Sequence, residues 1–403
     1  MNEIKQGYKQ TKVGIIPEDW EVVKVGEKFD FLKTYSNSRE DLNNQDDISY
    51  IHYGEIHTKH KFYIDFAKFE LPKINKSKLP NEIIFAQNGD LVIADASEDY
   101  ADIGKSAEIK NLTSKAVSGL HTFLLRDKNN NFVDGYKGYL LYNEIVARSI
   151  KKIATGISVL GISKTNLSNL YIPLPPLKEQ KKIAEILTTW DEAITKQTEL
   201  LRAKELLKIA LMQKLLSGEV RFDGFSDKWE EVRLGEICDI KKGEQLNKDT
   251  LENDGEFPVI NGGIEPSGFT DDWNTEANTI TISEGGNSCG YVNFLQNKFW
   301  SGGHCYTLLN LQIDKIFLYQ FLKYNQHNIM KLRVGSGLPN IQKSAIEKFT
   351  INKPSFGEQQ KIAEVLSLAD DEINLLKNEL EELKLQKKAL MQKLLTGEVR
   401  VKV

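Results

Sequence analysis

The chain has few cysteines, no long apolar run and almost no net charge, and each of these absences excludes a class of protein. Its 403 residues include three cysteines, Cys238, Cys289 and Cys305, an odd number without metal-ligand spacing, which favours a reducing cytoplasm. No stretch of about 18 apolar residues and no basic-then-apolar leader is present, so we expect neither a membrane span nor a secretory signal. The net charge of −4 gives no overall case for nucleic acid.

Catalytic motifs are missing as well. The glycine-rich run SEGGNSCG at 283–290 lacks the Lys-Ser/Thr pair of a P-loop, and there is no G-x-S-x-G, H-E-x-x-H or Asn-Pro-Pro-aromatic motif. The histidines at 52, 57 and 60 lie close together without carboxylate or cysteine partners at suitable spacing, so we favour strand and turn positions over a metal site. We therefore predict no catalytic residue, no bound metal and no cofactor on this chain.

What the sequence does contain is an internal repeat. ALMQKLLSGEVR at 210–221 returns as ALMQKLLTGEVR at 389–400, and the run EQKKIAEIL at 179 returns as EQQKIAEVL at 358, all at an offset of 179 residues. The segment from Trp20 to Glu27 resembles Trp229 to Glu236 at an offset of 209, so the first globular segment is longer by 209 − 179 = 30 residues. The order is domain, helix, domain, helix, which makes the halves cyclically equivalent and implies a pseudo-two-fold axis.

Each repeated segment carries an apolar seam of period about 3.5, typical of a coiled-coil helix. Prolines precede both segments, and Gly218 and Gly397 stand where a helix would end. A helix of some 35–40 residues, roughly 55 Å long, must bury its seam, so we expect the two copies to pair antiparallel. A generic coiled-coil spacer is the alternative. The first seam is interrupted by Gln197, Lys204 and Lys208, which would face a partner's helices or reach solvent.

The predicted fold class is α+β, with two globular domains separated by the two long helices. In both domains short apolar runs alternate with glycine and asparagine turns, which predicts sheets of short strands. Candidate strands are 83–86, 91–94, 121–125, 257–260, 279–283, 291–294 and 305–309, and candidate shorter helices are 136–153 and 315–332. The predicted boundaries are 1–177 for the first domain with a lead-in arm at 1–19, 178–217 for the first helix, 218–356 for the second domain, 357–396 for the second helix and 397–403 for the tail.

Charge is distributed in the same sense in both domains. Residues 1–100 carry 13 basic and 18 acidic side chains and residues 101–177 carry 10 and 5, while residues 222–297 carry 5 and 16 and residues 298–356 carry 8 and 2. A basic late half in each domain indicates a phosphate-binding surface, although these lysines would also serve simply to solvate a helix and its loops.

The basic residues gather around a glycine-containing loop at equivalent places in the two domains. Such a loop sets backbone amides and cations against phosphates, and Ser, Asn and Gln side chains beside it reach base edges. The alternative is that the glycines serve turn geometry alone. The candidate DNA-binding residues are Lys105, Arg148, Lys151, Lys152, Ser158, Lys164, Lys298, Lys331, Arg333, Ser336, Asn340, Gln342 and Lys343.

Three motifs together resemble the specificity subunit of Type I restriction–modification systems: GSGLPNIQK at 335–343, IPLPPLKEQKKIAEIL at 172–187 and the LLSGEVRF helix end. The second copy departs from the junction pattern, with INKPSFGEQ at 351–359. The resemblance covers nearly the whole chain. It implies a non-catalytic DNA-recognition subunit with two target recognition domains, each reading one half of a bipartite site in the major groove.

The resemblance also implies partners. The helices would set the spacer length and dock two modification subunits, which bring S-adenosylmethionine and methylate adenine. Restriction subunits would add cleavage driven by ATP and Mg²⁺. A rod of roughly 55 Å corresponds to about one and a half turns of B-DNA. Two other interpretations are kept: a coiled-coil scaffold with two ligand modules and no DNA role, and a stand-alone enzyme acting on nucleic acid, against which the missing motifs argue.

Overall fold

The computed structural model of the protein describes residues 4–247, 249, 251–252, 254–335, 337 and 339–403. The chain divides into two compact units, and each unit takes about half of each long helix. The first unit is Met1–Lys196 with Leu380–Val403, and the second unit is Gln197–Glu379. This division cuts through both helices, whereas the sequence-based boundaries separate helices from domains; those boundaries stay a prediction.

The first unit combines short strands and short helices. Its strands are β1 (Tyr8–Thr11), β2 (Gly14–Pro17), β3 (Glu21–Lys24), β4 (Phe29–Leu32), β5 (Leu42–Asn43), β6 (Ile48–Ile51), β7 (Phe62–Asp65), β8 (Lys73–Ile74), β9 (Leu91–Ala94), β10 (Ala96–Ser97), β11 (Ser106–Lys110), β12 (Ala116–Ser118), β13 (Thr122–Asp127), β14 (Leu160–Gly161) and β15 (Tyr171–Leu174). Its helices are α1 (Val25–Lys28), α2 (Tyr53–Thr58), α3 (Lys137–Leu140), α4 (Glu144–Ile153) and α5 (Lys164–Ser168), with 3-10 turns at Arg39–Asp41 and Lys76–Lys78, and the long helix α6 (Leu177–Leu216) follows.

Two sheets organise the first unit. One has the order β4-β13-β9-β11-β7, antiparallel except for the parallel pair β11–β7, and the other has the order β12-β6-β8-β5. Three further strand pairs, β1–β2, β10–β14 and β15–β3, lie outside these sheets. The main core joins Trp20 and Phe29 to Leu187 of α6 and to Leu394 near the chain's end. Both long helices therefore contribute to this core.

The second unit repeats this plan with fewer strands. Its elements are β16 (Glu230–Arg233), α7 (Leu234–Ile237), β17 (Asp239–Lys242), β18 (Phe257–Ile260), β19 (Phe269–Thr270), β20 (Thr279–Ser283), β21 (Val292–Leu295), β22 (Trp300–Ser301), β23 (Cys305–Leu309), α8 (Lys315–Tyr324), α9 (Gln326–Met330), α10 (Lys343–Glu347), β24 (Thr350–Lys353) and the long helix α11 (Phe356–Leu395). The sheets have the orders β17-β23-β20-β21, β19-β18-β22 and β16-β24.

The long helices run antiparallel within each unit. In the first unit Asp191 of α6 pairs with Lys387 of α11. In the second unit Lys208 Nζ lies 2.5 Å from Asp370 Oδ1, and Lys204 Nζ lies 2.6 Å from Glu372 Oε1, so the numbers rise along α6 as they fall along α11. Each helix contains 40 residues and begins and ends one residue before its predicted segment.

Gly218 and Gly397 follow the helix ends with φ of +75°, the left-handed conformation that glycine adopts without strain. Behind them the N–H of Val220 donates to Lys214 O, and that of Val399 donates to Lys393 O. The predicted glycine stops are confirmed.

Several sequence-based predictions were wrong in detail. Residues 83–86 form no strand, because the N–H of Ile84 donates to the Tyr35 hydroxyl rather than to a neighbouring strand. The predicted helix 136–153 is two helices, since the Asn143 side chain caps α4, and the predicted helix 315–332 breaks at Asn325. The lead-in arm contains the hairpin β1–β2.

The three neighbouring histidines lie in and around α2 rather than in strands. The His52 side chain caps α2, His57 Nε2 lies 2.9 Å from Ala96 O, and His60 is buried. Among the described residues no group of three or more His, Cys, Asp or Glu is placed to hold a metal ion.

Candidate nucleic-acid interface

A buried carboxylate fixes the start of the first domain to the long helices. Glu179, near the start of α6, is 1% exposed. It accepts a hydrogen bond of 2.9 Å from the Trp20 indole and two from Arg400, of 2.7 and 2.9 Å. Hydrogen bonds to a charged acceptor are strong, and Arg400 comes from the far end of the chain. The two ends of the sequence thus close one unit.

The second unit repeats this arrangement at the equivalent positions. Glu358, near the start of α11, is also 1% exposed, and it accepts from the Trp229 indole at 3.1 Å and from Arg221 at 2.5 and 2.8 Å. Glu358 and Arg221 stand at the 179-residue offset from Glu179 and Arg400. The cyclic equivalence predicted from the sequence is therefore present in side-chain contacts, with the segment that follows α6 supplying the arginine here.

In the first unit a narrow loop projects between two basic segments. Lys151 and Lys152 lie in the last turn of α4, and α5 begins at Lys164. Between the two helices the backbones of Thr155 and Gly161 exchange two hydrogen bonds of 2.9 and 2.7 Å, which close a loop whose residues 156–159 are exposed. We call this segment, 155–161, the first loop.

The second unit has the same loop at a constant offset. The backbones of Val334 and Asn340 exchange hydrogen bonds of 2.8 and 3.0 Å, and these residues stand 179 positions after Thr155 and Gly161. Exposed Lys331 and Arg333 precede this second loop, 334–340, and α10 begins after it at Lys343. The structure thus places the predicted basic loop in the same local frame twice.

An acid–histidine pair stands beside the first loop. Asp95 directly follows β9, and His121, with φ of +53°, directly precedes β13. His121 Nδ1 lies 3.3 Å from Asp95 Oδ1, the N–H of Asp95 donates to His121 O, and the N–H of Ile162 donates to Asp95 O. Burial raises the pKa of Asp95. The edge of the Tyr53 ring packs against the imidazole, with the ring centroids 5.4 Å apart.

The second unit contains the matching pair. Glu284 follows β20 and His304 precedes β23; His304 Nδ1 lies 3.1 Å from Glu284 Oε2, and the N–H of Glu284 donates to His304 O. The N–H of Ile341 donates to Glu284 O, as that of Ile162 does in the first unit. Burial acts to raise the pKa of Glu284, but hydrogen bonds from Lys242 and His304 outweigh it and lower the pKa.

The sequence reading missed these pairs. The acids are 189 residues apart and the histidines 183, so neither matches the repeat offset of 179 or 209. The available signal was position relative to the strands. The predicted strands 91–94 and 279–283 already placed each acid directly after a strand.

The other predicted DNA-binding residues differ in how free their charged groups are. Arg148 pairs with Glu144 at 3.0 Å and Lys343 with Glu347 at 3.5 Å, each within one helix turn. Lys151 Nζ lies 5.3 Å from the centre of the Tyr100 ring. In the part of the chain that the structure describes, Lys152, Lys164, Lys331 and Arg333 have no ion-pair partner within 4.0 Å, although Lys164 lies over the Phe31 ring.

Two predicted lysines are already held by partners within their own unit. Lys105 Nζ donates to Asp102 at 2.8 Å and to His57 O at 3.1 Å. These partners line a cavity of about 430 Å³ together with His121 and Val159 of the first loop. Lys298 Nζ lies 3.6 Å from the centre of the Trp273 ring and 3.8 Å from Glu276.

The polar side chains of the loops are accessible. Ser158 is exposed, and the amide of Gln342 donates to Asn340 Oδ1 at 3.2 Å. Ser336 lies outside the described residues. Gly156 is required by the tight turn, since a Cβ there would lie 2.0 Å from Val159 O.

Part of the predicted basic surface is neutralised within each unit. Arg126 pairs with Asp90 at 2.7 Å, and Lys353 pairs with Glu230 at 3.1 Å. The early acidic residues and the late basic residues thus partly form ion pairs. Among the described residues, Lys152, Lys164, Lys331 and Arg333 beside the loops take no part in these ion pairs.

The polar seam positions of α6 find partners within the chain. Gln197 Nε2 donates to Glu379 at 3.0 Å, and Lys204 and Lys208 pair with acids of α11, as described above. Their role as contacts to a partner protein stays a prediction. The helices carry a different kind of available surface, which the seam pattern did not single out: the exposed leucines and isoleucine Leu200, Leu206, Leu207, Ile209, Leu368 and Leu375 of the second unit.

Comparison with known proteins decides the family. A profile described as the Type I restriction modification DNA specificity domain matches residues 17–203 and 226–385, once in each half of the repeat. The chain belongs to this family of DNA specificity subunits. It is 30% identical over 432 residues to the putative specificity subunit of the type I restriction enzyme MjaX of Methanocaldococcus jannaschii, covering 99% of this chain and 98% of that one.

Two solved structures share the fold of this specificity subunit. The S subunit of a Type I restriction–modification system from M. genitalium superposes with a TM-score of 0.61 and 22% identity, covering 93% of this chain and 96% of that one. A chain from a study of complex assembly and conformational transition of the type I system gives 0.58 and 18%, covering 95% and 99%. These comparisons do not support the scaffold interpretation. Within the described residues no helix is both long and apolar enough to cross a membrane.

Proposed function

We propose that this specificity subunit reads a bipartite DNA target, with one half-site contacted by the loop region of each unit. The main support is that both units present the same two features. One is a closed loop between basic segments, and the other is a Trp–Glu–Arg contact that fixes the domain start to the long helices. Cations near the loops contact phosphates and fix the position of the protein along the duplex, while Ser158, Asn340 and Gln342 reach base edges.

The long helices act as the spacer and as the docking surface for partner subunits. Forty residues at 1.5 Å per residue give about 60 Å, or between one and two turns of B-DNA. Exposed leucines on a solvated helix indicate a protein contact, since burying these apolar side chains against a partner is energetically favourable. We propose that two modification subunits dock there and bring S-adenosylmethionine for adenine methylation. Restriction subunits, where present, bring ATP and Mg²⁺.

The chain itself is proposed to be non-catalytic and cytoplasmic. The motifs for methyl transfer and for hydrolysis are missing from the sequence. The three cysteines are free and buried in the structure, and burial raises the pKa of the Cys305 thiol to about 11, far from a reactive thiolate.

Selection from a randomised duplex pool tests the proposal. The chain is purified with its modification subunits, and bound duplexes are sequenced at moderate salt. We expect two short conserved elements separated by a fixed gap of unspecified bases. A single contiguous element, or no enrichment over scrambled DNA, would contradict the proposal.

Matched heptad insertions in α6 and α11 test the spacer role. An added seven residues in both helices preserves the seam and lengthens the pair by about 10 Å. We expect selection to return the same two elements with a longer gap. An unchanged gap would show that the helices do not measure the target.

A further inference from the structure

An acid–histidine pair stands beside the loop in each unit and recurs without following the repeat offsets. In each unit the same three backbone and side-chain contacts define it: histidine Nδ1 to carboxylate, acid N–H to histidine carbonyl, and acid carbonyl to the isoleucine after the loop. The surrounding sequences have diverged, since Asp95 is replaced by Glu284 and the spacing from acid to histidine falls from 26 to 20 residues.

The pairing fixes the orientation of each imidazole. A carboxylate accepts hydrogen bonds only, so Nδ1 carries the hydrogen and Nε2 points away from the acid. His121 and His304 keep 51% and 59% of their side-chain surface exposed. Within the described part of the chain neither Nε2 has a hydrogen-bond partner. Each unit therefore holds one exposed ring nitrogen in a set direction beside its loop.

The fact that the pair is common to both units indicates what it contacts. Under the proposed function, the two units read different bases, so base-reading side chains are expected to differ between them. At the 179-residue offset Ser158 corresponds to Gly337, and Gln342 corresponds to Ser163. A feature present in both suits the part of DNA that every sequence shares, the phosphate backbone. To donate from Nδ1 to its carboxylate and from Nε2 to a phosphate, each imidazole carries both ring hydrogens, and the resulting positive charge lies between two anions.

We propose that His121 and His304 are DNA-contacting residues that donate from Nε2 to a backbone phosphate, with Asp95 and Glu284 as their positioning residues. The inference rests on the proposed function. It adds one phosphate contact in each half-site that the basic residues alone did not suggest. In the second unit Lys242, whose Nζ lies 2.5 Å from Glu284 Oε1, joins the same group.

The test measures how DNA affinity depends on salt. The complex with modification subunits is titrated onto the duplex selected by the native chain and onto a scrambled duplex, between about 50 and 200 mM salt. Variants are His121→Ala, His304→Ala, His304→Lys and, as the matched control, His327→Ala at an exposed histidine of α9.

Each alanine variant at 121 or 304 is expected to reduce the affinity for both duplexes by the same factor, about threefold to tenfold. It is also expected to lower the slope of log affinity against log salt by about 0.9. His304→Lys is expected to restore the slope because it returns a cation, whereas a purely structural loss would not be rescued. The control should change neither quantity.

Three outcomes overturn the inference while the native chain still prefers its selected duplex: unchanged slopes, failure of the lysine rescue, or a changed base preference in one half-site, which would mean a base contact. If the native chain shows no preference for any duplex, the proposed function fails instead, so the two failures are distinguishable.

Discussion

The first unit and the second unit use the same contacts but draw them from different parts of the chain. Glu358 takes its arginine from the segment that directly follows α6, whereas Glu179 takes Arg400 from the chain's end. In both, the acid lies within the first turn of a long helix and holds a tryptophan indole. The comparison shows that this frame depends on spatial equivalence and not on order along the chain.

The units differ where the proposed reading function would require it. Among the described residues, the first unit has a main sheet of five strands and a second sheet of four, whereas the second unit has a main sheet of four strands and a second sheet of three. The polar partners of the seam differ as well: Asp191 also accepts from the Tyr139 hydroxyl, and Asp370 from the Gln320 amide. The Trp–Glu–Arg contacts are shared, whereas the sheets and the partners of the seam aspartates vary.

Removing the closing carboxylate gives the largest expected effect. Glu179→Ala leaves the Trp20 indole and Arg400 without their acceptor, and the free energy of unfolding of the first unit should fall by about 2–3 kcal/mol. Glu358→Ala should act in the same direction on the second unit. Hydrogen exchange resolved by segment measures both, with the exposed Glu185→Ala as control. Equal loss in both units from either variant would contradict the account of two separately closed units.

Neutralising the seam aspartates sharpens the comparison of the helix pairs. Asp191→Asn leaves the Lys387 ammonium, 6% exposed, without an anion, whereas Asp370→Asn leaves Lys208, 16% exposed. We expect the first change to cost about 2 kcal/mol and the second clearly less. Exposed Asp371→Asn is the control, and denaturant unfolding is the measurement.

The sign of the pH dependence checks this explanation. Burial lowers the pKa of Lys387 below its ordinary value, so the unfolded chain binds the proton more tightly than the folded chain does. Stability therefore rises with pH as this lysine loses its proton, and the deficit of Asp191→Asn should shrink at alkaline pH. A deficit that grows with pH would show that the loss has another origin.

Unpaired cations beside the loops should matter more for DNA binding than cations that already have partners within the chain. Lys331→Ala and Arg333→Ala should each weaken binding of the complex about threefold to tenfold and lower the salt slope by about 0.9. Lys298→Ala and Lys105→Ala should change affinity less than about twofold, because Trp273 and Asp102 already hold these ammonium groups. The reverse order in a titration by fluorescence anisotropy would contradict the assignment of the interface.

The sequence was sufficient for the frame of the protein because the frame is repeated. The constant offset between the two copies predicted the limits of the long helices to within one residue. It also predicted the glycines that end the helices and the equivalence of the two loops. Most strands were also found, since buried runs such as 91–94 and 279–283 are continuous and apolar. Family membership followed from the junction motifs.

The errors arose where side chains far apart in sequence decide the structure. The break at Asn143 depends on its cap and on a hydrogen bond from its amide to Leu395 O, 252 residues away. The partners of Lys204 and Lys208 lie on the other helix, so an antiparallel register was needed to find them. The acid–histidine pairs required the sheet order β13–β9 and β23–β20.

Pool selection with a variant of the second loop tests the central claim most directly. Asn340→Ala with Gln342→Ala removes two base-reading candidates from one unit without changing its charge. We predict that the selected target relaxes within one of its two elements, while the other element and the gap keep the native sequence preference. Relaxation in both elements, or in neither, would contradict the claim that each unit reads its own half of the site.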